Sequence, residues 1–283
     1  MKKHQTSHRD KSGNISISQT ITISLFSTVK INQNASGRLD LPIYLFILFF
    51  LIAFIYSSVG HGGASGYMAV LAISGYFSPE LVPVILCLNI LVSSVALTNY
   101  SRKGYFVWKL FWPFAIASIP AAFAGGYLQL EIDLFFIIVG AVLLLMAGAI
   151  IFKTYWKYDE GNPRPVNIPV ALLSGAGIGF LSGLVGVGGG IFLSPLILFL
   201  GWGTIRQIAA VSALFVLMNS LSGLGGHLFT TEILWSTAAL FALPVLIGGY
   251  LGSRFGVKTA DPKLIRLMLA IVLVIAGAKM LLA

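Results

Sequence analysis

The sequence predicts an all-α polytopic membrane protein made of two inverted repeats of about five hydrophobic segments each. Three observations carry this. Apolar residues make up 57% of the chain and charged ones only 10%, against roughly 25% charged in soluble domains. No Asp, Glu, Lys or Arg lies between Asp40 and Glu80, between Lys109 and Glu131, or between Arg164 and Arg206. Apolar runs of about 20 residues have the length of membrane helices. The third observation is duplication. Val59-Gly60-His61-Gly62-Gly63 returns as Val185-Gly186-Val187-Gly188-Gly189-Gly190. Pro120 before Gly125-Gly126-Tyr127-Leu128 returns as Pro244 before Gly248-Gly249-Tyr250-Leu251, and Met146-Ala147-Gly148 resembles Ile275-Ala276-Gly277. Internal duplication is the sequence trace of a transporter built from repeats.

In chain order, residues 1–40 form a polar tail rich in Ser, Thr, Asn and Lys. Its middle, Ile15 to Val29, alternates apolar residues with Ser and Thr and is too polar to span. A basic start before a weakly apolar run resembles a poor signal peptide, but no convincing cleavage site follows. The tail reads as a disordered or surface-lying extension. Repeat 1 covers 41–153, with segments Leu41–Val59, Ala64–Tyr76, Leu81–Asn99, Val107–Leu128 and Asp133–Phe152. A polar linker over 154–167, carrying Asp159-Glu160-Gly161-Asn162-Pro163-Arg164-Pro165, divides the halves. Repeat 2 covers 168–283, with segments Ile168–Val185, Ile191–Gly201, Ile205–Gly225, Ile233–Leu251 and Leu264–Ala283.

The net charge of +9 marks membrane orientation and not a nucleic-acid surface, because the basic residues flank apolar runs. Arg102, Lys103 and Lys109 lie between the third and fourth segments, and Lys153, Lys157 and Arg164 in or beside the linker. Arg206, Arg254, Lys258, Lys263 and Arg266 fall at alternate connections of the second half, while the others hold only Glu80, Glu131, Asp133 and Glu232. The positive-inside rule puts the basic set in the cytoplasm, so the repeats are inverted. The tail runs against this, since Lys2, Lys3, Arg9, Lys11, Lys30 and Arg38 would lie outside, but long tails weigh less than short loops. All five Trp residues (108, 112, 156, 202 and 235) sit near segment ends, as an interfacial belt requires.

The second and seventh segments are short. A dozen residues at 1.5 Å each reach about 18 Å, well under the ~30 Å hydrocarbon core. They either span with help or fold back on the preceding segment as re-entrant hairpins, and hairpins or broken helices are preferred. Hairpins bring both glycine clusters toward the midplane from opposite faces, where irregular backbone is tolerated only inside protein or along a cavity.

Glycine lets successive N–H groups crowd and turn toward a ligand, and each cluster precedes a segment able to start as a helix, whose N-terminus suits an anion. Tight helix packing is the competing reading of the same glycines. The clusters, their recurrence and the Pro–Gly-Gly-Tyr-Leu segments resemble the TauE/SafE family of anion permeases, which comprises sulfite exporters and related sulfonate carriers. The likeness covers most of residues 41–283. It implies transport of a small sulfur-containing anion, sulfite or an organosulfonate, by a secondary permease in a bacterial cytoplasmic (inner) membrane. The first cluster departs from the family's triple glycine, with His61 inserted and Ala64 in place of the last glycine.

The expected substrate-binding residues are His61, Gly62, Gly63, Asn89, Ser93, Gly188, Gly189, Gly190, Ser212 and Asn219. Few basic side chains lie in the apolar segments, so backbone N–H groups of the clusters are the available replacement for an anion's hydration. Asn89, Ser93, Ser212 and Asn219 offer neutral amides and hydroxyls for the path, whereas Ser94, Ser220 and Ser222 read as helix–helix glue. His61 holds a positive charge only when protonated and is the candidate for proton coupling; a neutral ring bonded to a carbonyl is the structural alternative. His227 reads as interfacial. Arg206 and Gln207 open the eighth segment, as a membrane anchor or as the cytoplasmic entry for the anion. Gly189→Val is expected to abolish transport while the chain still inserts and folds.

Absences narrow the classes. A lone Cys87 excludes an intrachain disulfide framework and a multi-cysteine zinc site. Apart from Asp133 at the start of the fifth, no Asp or Glu falls within an apolar segment, and no Gly-x-x-x-x-Gly-Lys-Ser/Thr loop argues for ATP use. No metal, cofactor or nucleic acid is expected. The expected partners are a small anion, coupled protons and the lipid bilayer. A homodimer is compatible with the sequence and not specified by it. A passive anion channel is the nearest competing function. An intramembrane hydrolase using Ser65 and His61, at i,i+4 spacing, is the alternative of a different class.

Overall fold

The computed structural model describes residues 42–128, 130–155, 163–258, 270, 271, 273–275, 277, 278, 281 and 282. The polar tail, the acidic part of the linker, Trp156, Lys157, Lys263 and Arg266 lie outside the described residues. The helices are α1 (Ile43–Ser57), α2 (Ala64–Ser74), α3 (Val82–Ser101), α4 (Trp108–Tyr127), α5 (Ile132–Tyr155), α6 (Ile168–Val185), α7 (Gly190–Leu200), α8 (Ile205–His227) and α9 (Trp235–Lys258). Helical backbone recurs from residue 270, inside the last predicted segment. The protein is all-α and polytopic: α3 with its leading turn, α4, α5, α6, α8 and α9 are long and apolar enough to cross a membrane.

Local sequence sets the helix ends. Thr204 and Gln207 form a reciprocal capping box at the start of α8, which satisfies otherwise unpaired N–H groups. Asn167 caps α6 by accepting from Val170 N at 3.2 Å. Gly75, Gly186 and Gly201 end α2, α6 and α7 in the left-handed conformation, the usual role of glycine just past a helix.

Two helix pairs are packed through glycine rows. Gly175, Gly179 and Gly183 of α6 abut the backbone of Phe114, Ser118 and Ala122 of α4. Gly248, Gly252 and Gly256 abut Phe50 and Phe54 of α1 and Ser58 just beyond it. A Cβ at any of these six would strike the facing carbonyl, so glycine is what allows the close approach. Numbers rise together along each row, so both pairs run parallel. Between the pairs, α3 packs on α8 and α9, and α8 packs on α3 and α4. This pattern maps onto itself when each helix is exchanged for the one five places away.

The predicted basic connections gather at one end. Arg206 Nη1 donates to Tyr105 OH at 3.3 Å, joining the start of α8 to the α3–α4 connection. Arg164 N donates to Gly201 O at 2.8 Å, joining the linker to the end of α7. Tyr100 OH, at the end of α3, donates to Ser58 O at 2.8 Å beside Gly256 of α9.

The Arg164–Gly201 bond also resolves the short seventh segment. It ties the residues just before α6 to the cap just after α7, so α6 and α7 form a hairpin that returns to the end where it began. Its tip, Gly186, reaches Val82 in the first turn of α3. The tip after α1, Gly60, reaches Ala209 near the start of α8, at the opposite end of the molecule.

One expectation is corrected. Trp108 and Trp235 are exposed at the first turns of α4 and α9, as a belt requires, but Trp202 is only 7% exposed. Its ring lies 6.0 Å from that of Phe114. Trp202 is a core residue, because the turn after α7 folds its side chain back onto α4.

Candidate functional site

The two glycine clusters meet in the protein interior, and Asn89 of α3 is the side chain that joins them. Its Oδ1 accepts from Gly63 N at 2.8 Å and Ala64 N at 3.2 Å, capping α2 from another helix. Its Nδ2 donates to Ser220 Oγ of α8 at 2.8 Å and points at Val187 O, 3.5 Å away. One buried amide thus contacts both clusters and both central helices.

A second connection starts at His61. Its Nε2 shares a 3.0 Å hydrogen bond with Ser194 Oγ of α7, and Ser194 Oγ lies 2.8 Å from Ser212 Oγ of α8. All three residues are buried. Between these connections lies a narrow interior cavity, lined by Tyr56, His61, Ala64, Ser65, Gly190 and Ile191 among others. The first residues of α2 and of α7 therefore share one cavity. It is too constricted in this conformation for a water-sized sphere.

The glycines are required here for two reasons. Gly188 and Gly189 sit at φ of +80° and +75°, a region costly for residues with a Cβ. Gly62 and Gly190 are instead limited by space: a Cβ on the first would meet Asn89 Oδ1, and on the second Val216.

The predicted residues divide by position. His61, Gly62 and Gly190 line the cavity, Gly63 gives its N–H to Asn89, and Gly188 stands against Asn89 and Ser220. Ser212 joins through Ser194. Ser93 donates to Asn89 O at 2.7 Å on its own helix, and Asn219 donates to Phe215 O at 3.0 Å. Gly189 faces away from the cavity, toward Ile178, Phe215 and Ser182. A Cβ there would lie 2.9 Å from Ile178 and 3.0 Å from Phe215. The expectation that Gly189→Val spares the fold is therefore corrected. Arg206 is exposed at the basic end and stacks its guanidinium 5.4 Å over the Tyr105 ring, while Gln207 is engaged in the capping box.

Of the expected glue residues, Ser220 and Ser222 do bridge helices, to Asn89 and to the Ile119 carbonyl. Ser94 instead donates to Ile90 O at 2.7 Å within α3. His227 is buried with its ring 2.9 Å from Gly183 O, and is a helix–helix contact more than an interfacial residue. Ser65 donates to Tyr56 OH at 2.9 Å, and the His61 Nε2 is bonded to Ser194. The two are not arranged as an i,i+4 helical pair, because His61 precedes the first turn of α2. Ser194 was not among the predicted residues. Its signal was available: it is the one hydroxyl in the otherwise apolar Gly190–Leu200.

A bundle of membrane-crossing helices around two short helices that begin on one buried cavity has the form of a membrane transporter. A family model described as "Sulfite exporter TauE/SafE" matches residues 45–280. The chain belongs to that family. It is 35% identical to the probable membrane transporter protein y4hK of Sinorhizobium fredii, over 84% of this chain and 97% of the relative. It is 27% identical to the probable membrane transporter protein MJ0441 of Methanocaldococcus jannaschii, over 84% and 94%. It is 27% identical to the probable membrane transporter protein YfcA of Escherichia coli, over 85% and 90%. No solved structure matches the chain.

Proposed function

We propose that the protein is a secondary carrier for a small sulfur-containing anion, sulfite or an organosulfonate, in the cytoplasmic membrane of a bacterium. The observation that carries this is the shared cavity between the starts of α2 and α7. Helix N-termini present N–H donors and positive potential to an anion, and two of them on one constricted interior site suit a dehydrated ion once the site widens to admit it. Asn89 Oδ1 is then a neutral place-holder. It satisfies Gly63 N and Ala64 N until an anion displaces it, so the donors are not left unpaired between cycles. The sulfur-containing substrate class rests on the family description.

His61 supplies proton coupling in this reading. A protonated ring adds charge beside the anion, and the ring discharges when the proton leaves. Reconstituted protein is expected to exchange labelled for unlabelled sulfite or alkanesulfonate in counterflow, saturably, and faster with an imposed pH gradient. His61→Asn is expected to flatten the pH dependence between roughly pH 5 and 8, where histidine titrates. Flux that does not saturate and shows no exchange would make the protein a channel.

The inverted arrangement of the repeats belongs to the same proposal. The five-place correspondence of helix contacts and the approach of the two tips from opposite ends support it. Single cysteines at Lys103 and Glu232, in a Cys87→Ser background, are expected to label from opposite sides of the membrane. Labelling of both from one side would reject it.

A further inference from the structure

We propose that Ser118, Ser182 and Asn219 form a sodium site beside the anion cavity. These residues lie on α4, α6 and α8, and none is more than 1% exposed. Ser118 Oγ, Ser182 Oγ and Asn219 Oδ1 have no hydrogen-bond partner among protein atoms. Buried polar atoms are nearly always paired, because an unpaired one forfeits its hydration without return. Three on neighbouring helices point to something they hold.

The three helices converge at this level. A Cβ on Gly183 of α6 would strike the Ala122 carbonyl of α4, and one on Gly223 of α8 would lie 3.2 Å from Gly183 Cα. One turn earlier stand Ser118 on α4 and Asn219 on α8, and there Gly179 of α6 abuts Ser118. Ser182 of α6 and Phe215 of α8 flank the same point: a Cβ on Gly189 would lie 3.3 Å from Ser182 Cβ and 3.0 Å from the Phe215 ring. Phe215 is one turn before Asn219 and accepts its Nδ2 at 3.0 Å. At the α1–α3–α9 junction, by contrast, Ser57 donates to Gly249 O at 2.9 Å and Ser93 to Asn89 O at 2.7 Å.

The donor set selects the ligand. Asn219 spends its amide nitrogen on Phe215, leaving an oxygen that only accepts, and serine hydroxyls can rotate to present lone pairs. Three neutral oxygens suit a hard cation. The absence of a carboxylate argues against calcium or magnesium, and glycine-close helices favour a small monovalent ion. Neutral ligands also let a coupling ion leave again.

Position gives the ion a role that rests on the carrier reading. Ser182 lies on the side of Gly189 turned away from the cavity, so a cation there is separated from the proposed anion by the backbone that leads into α7. Each would lower the cost of burying the other's charge, and the resulting gain in affinity is reciprocal.

The test uses the purified full chain in detergent, without substrate. Saturable uptake of radioactive sodium is expected, with a Tm raised by about 5 °C in saturating sodium chloride over choline chloride at equal ionic strength. Potassium is expected to give a smaller shift. Ser182→Ala, which removes one oxygen and little volume, should lose both signals, and Ser118→Ala is the second such variant. Ser94→Ala should keep both, because its hydroxyl is already bonded within α3. Equal Tm values in sodium and choline with no sodium uptake would overturn the site and assign the oxygens to water. Failure of the anion reading looks different: sodium still binds, but sulfite and sulfonates leave its affinity unchanged.

Discussion

Asn89→Asp is expected to lower anion transport by roughly 1000-fold at pH 8 while the protein stays folded. The fold is preserved because aspartate keeps an oxygen to accept from Gly63 N and Ala64 N, now at a helix N-terminus that favours negative charge. The Ser220 hydroxyl can turn to donate where it formerly accepted, and the bond given up is the long one from Nδ2 to Val187 O at 3.5 Å. Transport fails because the neutral place-holder becomes a competing anion. Two like charges about 4 Å apart repel by about 4 kcal/mol at an effective dielectric of 20, and each 1.4 kcal/mol is about a factor of ten. The measurement is initial exchange rate in proteoliposomes, with a monodisperse elution profile as the check on folding. A rate within tenfold of wild type would mean that the anion never approaches the start of α2.

Gly189→Val is expected to lose folded protein as well as transport. The left-handed backbone conformation costs a residue with a Cβ about 1–3 kcal/mol, and overpacking against Ile178 and Phe215 adds about 1–3 kcal/mol. Against a typical stability of about 5–15 kcal/mol, the two together are severe. Yield and Tm in detergent are the readouts. Gly177→Ala is the control, since a Cβ there meets nothing within 4 Å. Wild-type Tm for Gly189→Val would show that the tip relaxes freely and that its conformation is not needed.

Hydrophobic runs, basic connections and glycine clusters made much of the architecture legible. Each described helix overlaps a predicted segment, because membrane helices are selected by length and polarity that any stretch of sequence displays, but α9 runs on to Lys258 where the segment was expected to end at Leu251. The α6–α7 hairpin was legible from the shortness of its second arm. The site was read less completely. His61, Gly62 and Gly190 were picked from a local pattern, but Asn89 caps α2 across 26 positions of sequence and His61 meets Ser194 across 133. Contacts of that separation leave no periodic trace in one sequence. Trp202 was misplaced for a related reason: a tryptophan at a segment end can face lipid headgroups or fold inward, and only the turn geometry decides.

The two tips have a consequence for leakage. Gly60 rests on Ala209 and Gly186 on Val82, so each loop is seated on a helix from the other half of the chain. Asn89 spans the seam between them. In the carrier reading, opening toward one side unseats a loop seated on the opposite half, and parting both at once would also sever the bonds of that amide to Gly63, Ala64 and Val187. A simultaneous breach to both sides therefore breaks more of these contacts than an opening to either one. The bond network behaves as an interlock, holding the membrane's ion gradients against a cargo that must still get through.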